Sequence, residues 1–485
     1  MIIADRLDDN VKYLKTVLVS DDITFLQTEI NGTRCAVVFA KDLTDKNAIG
    51  ELILRPLSVF DGKITADALK EAFLSPEQSV ENDLSAIPDK IVTGETAFLC
   101  DGVNVAFTFA LKKYEKRSIT EPPTSTVIKG PREGFVESLP VNVSLIRRRL
   151  KSPDLVFENM QVGRYSQTTV SICYVRGVAD KTLVKKLKRK ISSVKIDAVL
   201  DSSYISKYLG EHKTSVFKQV GNTEKPDILV AKILEGRVAV LVDGSPIALT
   251  VPYLLIEDFQ SPSDYYGSAY SATLARFLRF FAVFIALMLP SLYLSAELFH
   301  LQLIPLSFLL TIVNSIKGIP LSPSFEMFFS LMIFEILNEA SVRMPKYVGM
   351  VVSIVGGLVL GETAVNAGII SAPTLMIIAM SGICLYTVPE LEKTFSVIRL
   401  VFLIIGGSLG AYGLLCALAI TLIYLVSFEN YSTPLCAPFS PLVKTDLKDS
   451  VFKSFIDDGS SRPVSLGNGI KSKKLKKETK QCKKH

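Results

Sequence analysis

The sequence is poor in the residues that usually carry catalysis or hold metals. It contains 3 histidines in 485 residues, at His212, His300 and His485, and none sits in a nucleophile or metal constellation. Its 7 cysteines are widely scattered, with no CxxC pair and no histidine at metal-ligand spacing. We therefore predict no catalytic residues, no metal, no cofactor and no enzymatic activity. The cysteines are expected to be small apolar residues in a reducing compartment.

Two motif classes are also missing. The N-terminus, "MIIADRLDDNVKYLK", carries acids where a secretory signal would need a basic region followed by an apolar core. The front half is therefore expected to stay in the cytoplasm. The segment "VLVDGS" places Asp243 after an apolar strand, but it has neither a P-loop lysine nor a G-x-G-x-x-G pattern. A hairpin turn is the expected role of that segment.

Charge is distributed very unevenly along the chain. It is dense up to Arg279, sparse as far as Arg399, and dense again after Val443. About 20 apolar residues, each rising 1.5 Å, suffice to cross the hydrocarbon core of a membrane. The stretch 275–300 meets this length, and its central part holds Arg279 as its one charge. It is therefore predicted to be a transmembrane helix that follows roughly 270 residues of ordinary globular composition.

The first 120 residues alternate between strand and helix patterns. Two β-rich runs flank Asn31-Gly32, and a second alternating pair turns at Asp101-Gly102, so two hairpins are predicted. Between them lies a helical pattern that Pro56 is expected to disturb. This order favours a small α/β unit.

A second α/β unit follows a stretch rich in Pro, Gly, Ser and Thr. Its expected helices are "VNVSLIRRRLKSPDLV", "DKTLVKKLKRKISSV" opened by Asp180, and "SYISKYLG". Its expected strands are "TTVSICYVRGV", "IDAVL", and a hairpin of "DILVAKILEG" with "RVAVLVDGSPIALTVPYLL" through Glu235-Gly236. The basic residues of this unit are interpreted as solvated helix faces or subunit contacts, namely Arg147, Arg148, Arg149, Lys185, Lys186, Lys188, Arg189 and Lys190. No recognised nucleic-acid module accompanies them, so no nucleic-acid partner is expected.

The predicted fold class is an α/β cytosolic N-terminal region of two small subdomains, an α-helical polytopic membrane domain, and a short disordered basic tail. The expected boundaries are 1–120 for the first subdomain, 121–135 for a linker, 136–270 for the second subdomain, 271–428 for the membrane domain and 429–485 for the tail. The lysines at the end of the tail are typical of a solvated, disordered end, and an anionic lipid surface, the second reading, would also attract them.

The membrane block contains several charges and breaks. Glu335, Glu339 and Arg343 step by four, which stacks them along one helix face and lets the last two pair. Glu362 follows a glycine-rich run, and Pro290 is a candidate break in the first helix. Since intramembrane charges are costly, these acids either line an ion path or gate, or meet water at the membrane interface. Both readings stay open.

The number of spans depends on the last apolar run. The basic residues next to the apolar segments fit five crossings with their charges inside, provided that 301–319 does not cross. The final run is about 28 residues long, and its "GGSLGAYG" centre allows a turn between two short helices. Five or six spans are therefore possible, and six would put both chain ends in the cytoplasm.

Six long blocks stand out in order between about residues 130 and 450. They are "GPREGFVESLPVNVSLIRRRLKSPDL", "ILEGRVAVLVDGSPIALTVP", "FQSPSDYY", "LPSLYLSAELFHLQLIP", "FEILNEASVRMPKYVGMVVSIVGGLVLGETAVNAGIISAP" and "APFSPLVKTDLKD". Together they closely resemble the A subunit of GerA-type spore germination receptors, and the resemblance weakens in 1–120 and in the tail. One departure is "HLQLIP", where Leu301 and Gln302 replace the Pro and acid of the family's "FHPEMIP", so no ion-binding role is assigned there.

The resemblance implies a nutrient-gated receptor in the inner membrane of bacterial endospores. Its partners would be a transporter-like B subunit that senses the nutrient, a lipoprotein C subunit and further copies of this chain in a ring. The candidate gate or pore residues are then Glu335, Glu339, Arg343 and Glu362. Two alternatives stay open: an accessory spore-formation paralogue, and a secondary transporter with a cytosolic regulatory domain, which the lack of a recognisable inverted repeat disfavours.

Overall fold

The computed structural model describes most of the chain. The described residues are 1–30, 32–60, 64–73, 75, 77–113, 130–344, 361–453 and 462–466. Most of the predicted linker, the lysine-rich end of the tail and the glycine-rich run before Glu362 lie outside them. The domain boundaries given above therefore stay predictions.

The first subdomain is built on a five-stranded antiparallel sheet in the order β1-β2-β4-β5-β3. Its elements are α1 (Leu7–Val17), β1 (Ile23–Ile30), β2 (Thr33–Ala40), α2 (Lys46–Ile49), α3 (Arg55–Ser58), α4 (Ala66–Ala72), β3 (Gln78–Glu81), α5 (Ile87–Val92), β4 (Thr96–Cys100) and β5 (Ala106–Phe109). Both predicted hairpins, β1 with β2 and β4 with β5, are confirmed. Pro56 does not end the helical pattern, because a π-helical turn joins α2 to α3 and Pro56 lies at the start of α3.

The second subdomain carries another five-stranded antiparallel sheet, in the order β6-β7-β9-β10-β8. Its elements are α6 (Leu139–Arg149), β6 (Leu155–Val162), β7 (Thr168–Val175), α7 (Lys181–Ser192), α8 (Ser202–Leu209), β8 (Gly221–Thr223), α9 (Pro226–Leu234), β9 (Val238–Val242) and β10 (Ala248–Val251). The α/β character of the N-terminal region is thus confirmed. So are the Asp180 cap of α7 and the hairpin of β9 with β10 around Asp243.

Two strand predictions in this subdomain are wrong. The segment "DILVAKILEG" forms α9, because Pro226 fixes its first turn and Leu229, Val230 and Ile233 recur at helical spacing on the buried face. Its β-branched composition hid that period. The "IDAVL" segment forms no strand, and the backbone oxygens of Ile196 and Asp197 instead accept hydrogen bonds from the turn after β6.

The two sheets repeat one topology, which the sequence pattern did not reveal. Adding five to each strand number of the first sheet gives the strand order of the second sheet. A buried asparagine on the first helix of each unit makes the same pair of bonds. Asn10 accepts from the N–H of Ala4 at 2.9 Å and donates to its carbonyl at 2.6 Å. Asn142 does the same with Val136, at 2.9 and 2.6 Å.

The turn after the fourth strand of each unit is repeated as well. The carboxylate of Asp101 accepts from the N–H of Leu7 at 2.8 Å, and that of Asp243 accepts from the N–H of Leu139 at 3.0 Å. Each aspartate therefore ties the end of its central strand to the start of the first helix. The L-x-x-N and D-G patterns shared by both units were the available sequence signal.

A buried ion pair joins the two subdomains. Arg147 is 1% exposed and donates to both carboxylate oxygens of Asp22, at 2.8 and 2.9 Å. The interpretation of Arg147 as part of a solvated face is thus wrong, because its guanidinium also satisfies the carbonyl of Leu155 at 2.8 Å. Several other members of the basic patch pair with acids of the same subdomain: Lys186 and Lys190 with Glu211, Lys188 with Glu158, and Arg149 with Glu133.

The C-terminal half is helical. Its helices are α10 (Pro262–Tyr266), α11 (Ala269–Phe299), α12 (Leu306–Ile316), α13 (Pro323–Arg343), α14 (Gly361–Asn366), α15 (Ala372–Leu385) and α16 (Glu392–Ser427). Among the residues that the structure describes, two stretches are long and apolar enough to cross a membrane, 269–299 and 389–427. Pro290 does not break the first, because α11 continues through it as one helix of 31 residues.

The last long helix is a hairpin. A straight helix of 36 residues would be about 54 Å long. Instead, Thr394 near its start and Tyr424 near its end contact the adjacent residues Val216 and Ser215 of the second subdomain. The chain reverses at Gly410, whose φ of 64° and ψ of −158° are not helical. The "GGSLGAYG" segment is therefore a turn between two shorter helices.

After this hairpin the chain returns to the second subdomain. Strands β11 (Glu429–Asn430) and β12 (Thr433–Pro434) flank Tyr431, which packs into the core of the second sheet. The Tyr431 hydroxyl donates to the carbonyl of Leu209 at 2.6 Å. The two N-terminal subdomains together are called the head. The segment that directly follows the helices is thus part of the head, and only residues beyond it fit the description of a tail.

Candidate functional site

A fully buried arginine lies in the helical region. Arg399 stands two turns into α16 and is 0% exposed. Its guanidinium donates to the Glu335 carboxylate on α13 at 2.5 Å and to the Ser381 hydroxyl on α15 at 2.8 Å. The Phe334 ring lies 5.7 Å from it, within cation–π range. Its Nε has no hydrogen-bond partner among the described residues. Three helices therefore meet at one charge.

A fourth helix, α11, contacts Ser381 through a backbone oxygen that Pro290 leaves without a helical hydrogen bond. A proline has no N–H, so the carbonyl four residues before it receives no helical hydrogen bond. That carbonyl belongs to Ala286, and the Ser381 hydroxyl donates to it at 2.7 Å. Pro290 thus acts here by supplying an acceptor rather than by breaking the helix. The Arg399 cluster is the connected set Ala286, Pro290, Glu335, Ser381 and Arg399.

A glycine makes room for this arrangement. A Cβ at Gly382 would lie 2.1 Å from Cζ of Phe334, far inside contact distance. A side chain at position 382 would push against the Phe334 ring, which lies next to Arg399. The tight packing between these helices is therefore part of what positions the cluster.

A second set of polar contacts extends the cluster toward the start of α16. Asn338, one turn beyond Glu335, donates to the Glu392 carboxylate at 2.5 Å. It also accepts from the Tyr386 hydroxyl at 2.8 Å. Since Glu392 is the first residue of α16, Arg399 lies about 10 Å deeper along that helix.

The four predicted gate or pore residues differ in burial and in their partners. Glu335 belongs to the Arg399 cluster. Glu339 and Arg343 form the expected i,i+4 pair at 2.6 Å, but their side chains are 60% and 78% exposed. Glu362 lies exposed on the short helix α14 and forms no hydrogen bond or ion pair with the described residues. Of the four, only Glu335 pairs with a fully buried charge, and its own side chain is 28% exposed.

Sequence reasoning missed the centre of the cluster. Arg399 was interpreted only as a positive charge marking the cytoplasmic side, and Ser381 was not singled out. The available signal was that Arg399 has apolar neighbours on both sides, Val397 and Ile398 before it and residues 400–405 after it, where an uncompensated charge would be costly.

A second polar site lies near the other end of these helices. Glu326 is 1% exposed and accepts from both the N–H and the hydroxyl of Ser371, each at 2.7 Å. It thereby caps the start of α15. The hydroxyls of Tyr293 and Ser330 are buried without a hydrogen-bond partner among the described residues. The starts of α13 and α15 are thus adjacent.

The second subdomain contacts both ends of the α16 hairpin. Besides the contacts of Thr394 and Tyr424, Lys218 pairs with Glu390 at 2.7 Å and with Asp258 at 3.3 Å. Burial would lower the pKa of Lys218, but these two carboxylates outweigh it and raise that pKa. Burial raises the pKa of Asp258. The loop before α16 is therefore tied to the head by the pairing of the largely buried Lys218 with the exposed Glu390.

The start of α11 is tied down in the same region. Asp264 on α10 accepts from Arg279 at 2.7 and 2.9 Å and from Arg276 at 3.2 Å. Burial would raise the pKa of Asp264, but the bonds from Arg279 and the Ser261 N–H lower it overall. Arg276, 0% exposed, also reaches Asp449 at 3.0 Å. The head, the first long helix and the C-terminal segment meet at these two arginines.

The chain matches a protein-family model described as the Bacillus/Clostridium GerA spore germination protein, over residues 11–465. "Spore germination protein KA" of Bacillus subtilis (strain 168) is 32% identical over 96% of this chain and 88% of its own length. "Spore germination protein GerLA" of Bacillus cereus is 33% identical over 94% of this chain and 95% of its own length. The crystal structure of the N-terminal domain of the A subunit of the Bacillus megaterium spore germinant receptor GerK3 aligns with 53% of this chain and 98% of that chain. That alignment has 24% identity and a TM-score of 0.40.

Proposed function

Because the chain belongs to the GerA family of Bacillus and Clostridium spore germination proteins, we propose that it is the membrane A subunit of a nutrient-sensing germinant receptor. It lies in the spore inner membrane with the two N-terminal subdomains in the cytosol. It assembles with a transporter-like B subunit, a lipoprotein C subunit and further copies of itself. Its role is to form or gate an ion-release path and is not enzymatic.

The helix arrangement supports a polytopic membrane domain. The Gly410 turn lies beside Phe299 at the end of α11, so both halves of the hairpin run alongside that helix. Ser324 lies close to Gly407, near the same turn, which puts the start of α13 on the side away from the head. The Glu326 to Ser371 contact puts the start of α15 there too.

The path of the chain then sets the number of crossings. Since α13 and α15 both run from the far side toward the head, the end of α13 and the start of α15 lie on opposite sides, which requires one crossing by connectivity alone. This crossing, with α11, α13, α15 and the two halves of α16, makes six. Both ends of the membrane domain then face the cytosol, and the basic residues Arg276, Arg279 and Arg343 lie on the side that positive-inside reasoning requires.

The Arg399 cluster is the observation that carries the gating proposal. The buried charge of Arg399 is stabilised only while its hydrogen-bond geometry is kept, so the packing of the four helices and the pairing of Arg399 with Glu335 depend on each other. Such a cluster favours two discrete packings over gradual deformation. Nutrient bound by a partner shifts the balance between them, and cations then leave the spore core.

The head takes part because it holds both ends of the helix that carries Arg399. Lys218 contacts the loop that precedes α16, and Ser215 contacts Tyr424 at its end. A movement of the hairpin therefore strains these contacts, and a change in the head is transmitted to the cluster. This gives the cytosolic subdomains a role in setting the gate.

Reconstitution tests the proposal. The chain is purified with the subunits encoded beside it, placed in liposomes loaded with a cation-sensitive dye, and exposed to a panel of amino acids and sugars. At least one nutrient is expected to trigger cation flux, and Glu335→Gln is expected to alter that flux while Glu339→Gln leaves it unchanged. The absence of flux with every nutrient would refute the ion-path role, whereas equal effects of both variants would remove the cluster from it.

A further inference from the structure

Two cysteines on neighbouring strands of the first sheet lie side by side. Cys35 on β2 and Cys100 on β4 are register partners, and their Sγ atoms are 2.9 Å apart. Both are buried, with 1% and 2% exposure. Cys100 is the last residue of β4 and directly precedes the Asp101-Gly102 turn. The pair therefore sits at the end of a strand, where local opening needs the fewest broken contacts.

The strand geometry at this position suits a covalent bond. The N–H of Asp101 donates to the carbonyl of Arg34 at 2.9 Å. This bond joins the residue after Cys100 to the residue before Cys35, which makes the two cysteines a non-hydrogen-bonded pair. Such pairs have Cα atoms about 4.5 Å apart, within the range of about 4.4 to 6.8 Å that disulfides require.

The second subdomain shows what this position needs for folding alone. There Val170 on β7 and Val242 on β9 are the equivalent partners, directly before the Asp243-Gly244 turn. The same bond marks the position, from the N–H of Asp243 to the carbonyl of Thr169 at 2.9 Å. Two small apolar side chains satisfy the packing, so the thiols of the first subdomain are not required for the fold.

We propose that Cys35 and Cys100 form an oxidative modification site, in which a peroxide-class oxidant converts the two thiols into an intrachain disulfide. The first step is attack of the Cys100 sulfur on one peroxide oxygen, which breaks the O–O bond and leaves a sulfenic acid and water. The Cys35 sulfur then attacks the Cys100 sulfur and displaces a second water. Two thiols and one hydrogen peroxide thus give one disulfide and two waters.

The order of the two steps follows from the pairing. The hydrogen bond between the thiols lowers the pKa of Cys100, and the same bond, with burial, raises the pKa of Cys35. Since the thiolate is the reactive form and Cys100 ends β4 beside the turn, we assign Cys100 as the attacking sulfur and Cys35 as the resolving one. A dithiol reductant reverses the reaction by exchange.

The bond would tie β2 to β4 across 65 positions of sequence. It would therefore hold the centre of the first sheet closed and raise the unfolding temperature of the first subdomain. This proposal concerns the head alone and stands whether or not the chain conducts ions.

Thiol counting and peptide mapping on the full-length protein in detergent test it. After reduction, the protein has 7 thiols; a brief exposure to hydrogen peroxide is expected to remove two, and dithiothreitol to restore them. Mapping should find the Cys35 and Cys100 peptides joined, with a mass lower by two hydrogen atoms. A thiol count that stays constant, links only between other cysteines, or Cys100 oxidised to sulfinic acid without a link would overturn the proposal.

The matched variants copy the second subdomain. The double variant Cys35→Val with Cys100→Val should fold and lose no thiols under the same treatment. Cys173→Ala removes a buried cysteine on β7 that has no thiol neighbour among the described residues, and it should still lose two. The peptide map of the wild-type protein tests the proposal without any variant, so a variant that fails to fold does not weaken the test.

Discussion

The Ser381 hydroxyl donates a 2.7 Å hydrogen bond to the carbonyl oxygen of Ala286, the oxygen that an N–H at position 290 would otherwise use. The same hydroxyl accepts from Arg399 at 2.8 Å. A proline in one helix, a serine in another and an arginine in a third are therefore linked through one oxygen. This relationship gives Pro290 a role that does not require the helix to bend.

A double-mutant cycle between positions 290 and 381 should show coupling. Ser381→Ala leaves the Ala286 carbonyl and one Arg399 N–H unsatisfied, so we expect a loss of about 1–3 kcal/mol in unfolding free energy. In a Pro290→Ala background the new N–H bonds that carbonyl, and Ser381→Ala should cost less. Ser408→Ala, whose hydroxyl bonds its own helix at Ile404, is the control. Strictly additive effects of the two substitutions in thermal unfolding would contradict this link between Pro290 and Ser381.

Breaking the pair that Glu335 forms with the buried Arg399 should be far more costly than breaking the exposed pair on the same helix. Glu335→Leu leaves Arg399 buried without a carboxylate, and we expect a destabilisation of about 3–5 kcal/mol. Glu339→Leu breaks the exposed pair with Arg343 and should have little effect on stability, because solvent screens that pair. Denaturation of the detergent-solubilised protein measures both. Combining Glu335→Leu with Arg399→Met should recover much of the loss, and similar costs for the two single variants would be inconsistent with this assignment.

The hairpin at Gly410 predicts which side of the membrane each part of α16 faces. A cysteine at Leu409, next to the turn, should react from outside intact cells with a membrane-impermeant maleimide. A cysteine at Thr394, which contacts the head, should react only after permeabilisation. If Thr394→Cys and a cysteine at Tyr424 label from opposite sides, α16 is a single crossing and the six-span arrangement is wrong.

Exchanging the charges of Lys218 and Glu390 should preserve their pairing. Lys218→Glu alone puts three carboxylates together with Asp258 and Glu390, so we expect the nutrient response of spores to be weakened by repulsion at the joint. The swap Lys218→Glu with Glu390→Lys should restore much of that response. The exposed pair of Glu51 and Arg55 offers a control reversal with no effect. A swap that performs no better than the single variant would argue against coupling through this contact.

Acid should weaken the head through Glu257. Burial would raise the pKa of this residue, but the charges of Arg237 and Lys232 outweigh it and lower the pKa to about 2. A depressed carboxylate pKa stabilises the fold above the unfolded value of 4.5, and this stabilisation is lost as pH falls toward 2. The contribution is on the order of 3 kcal/mol.

Thermal unfolding between pH 6 and about 3 measures this dependence. Glu257→Gln should be less stable at neutral pH, because it leaves Arg237 and Lys232 without their shared carboxylate, and its stability should fall less with acid. Glu51→Gln, at an exposed pair, should follow the wild-type profile. Parallel profiles for Glu257→Gln and the wild type would mean that this carboxylate does not set the acid sensitivity.

Local patterns in the sequence were enough for much of the fold. Turn dipeptides such as Asp101-Gly102, the cap at Asp180 and the long apolar run after Arg279 each act over a few residues, and the structure contains the elements that they predict. Errors arose in segments whose residues fit both a helical and a strand pattern. The segment that forms α9 resembled a strand because it is only 9 residues long and its β-branched residues favour sheets.

The sequence by itself determined where the chain enters an apolar environment and which segments can form helices and strands, since both follow from local composition and periodicity. Only the tertiary structure decided that the two subdomains share one topology, that α16 folds back at Gly410, and that Arg399 rather than Glu362 is the buried charge with a partner. These depend on contacts between residues far apart in sequence, such as Ser381 with Ala286, and no local pattern encodes which distant partner satisfies a buried polar group.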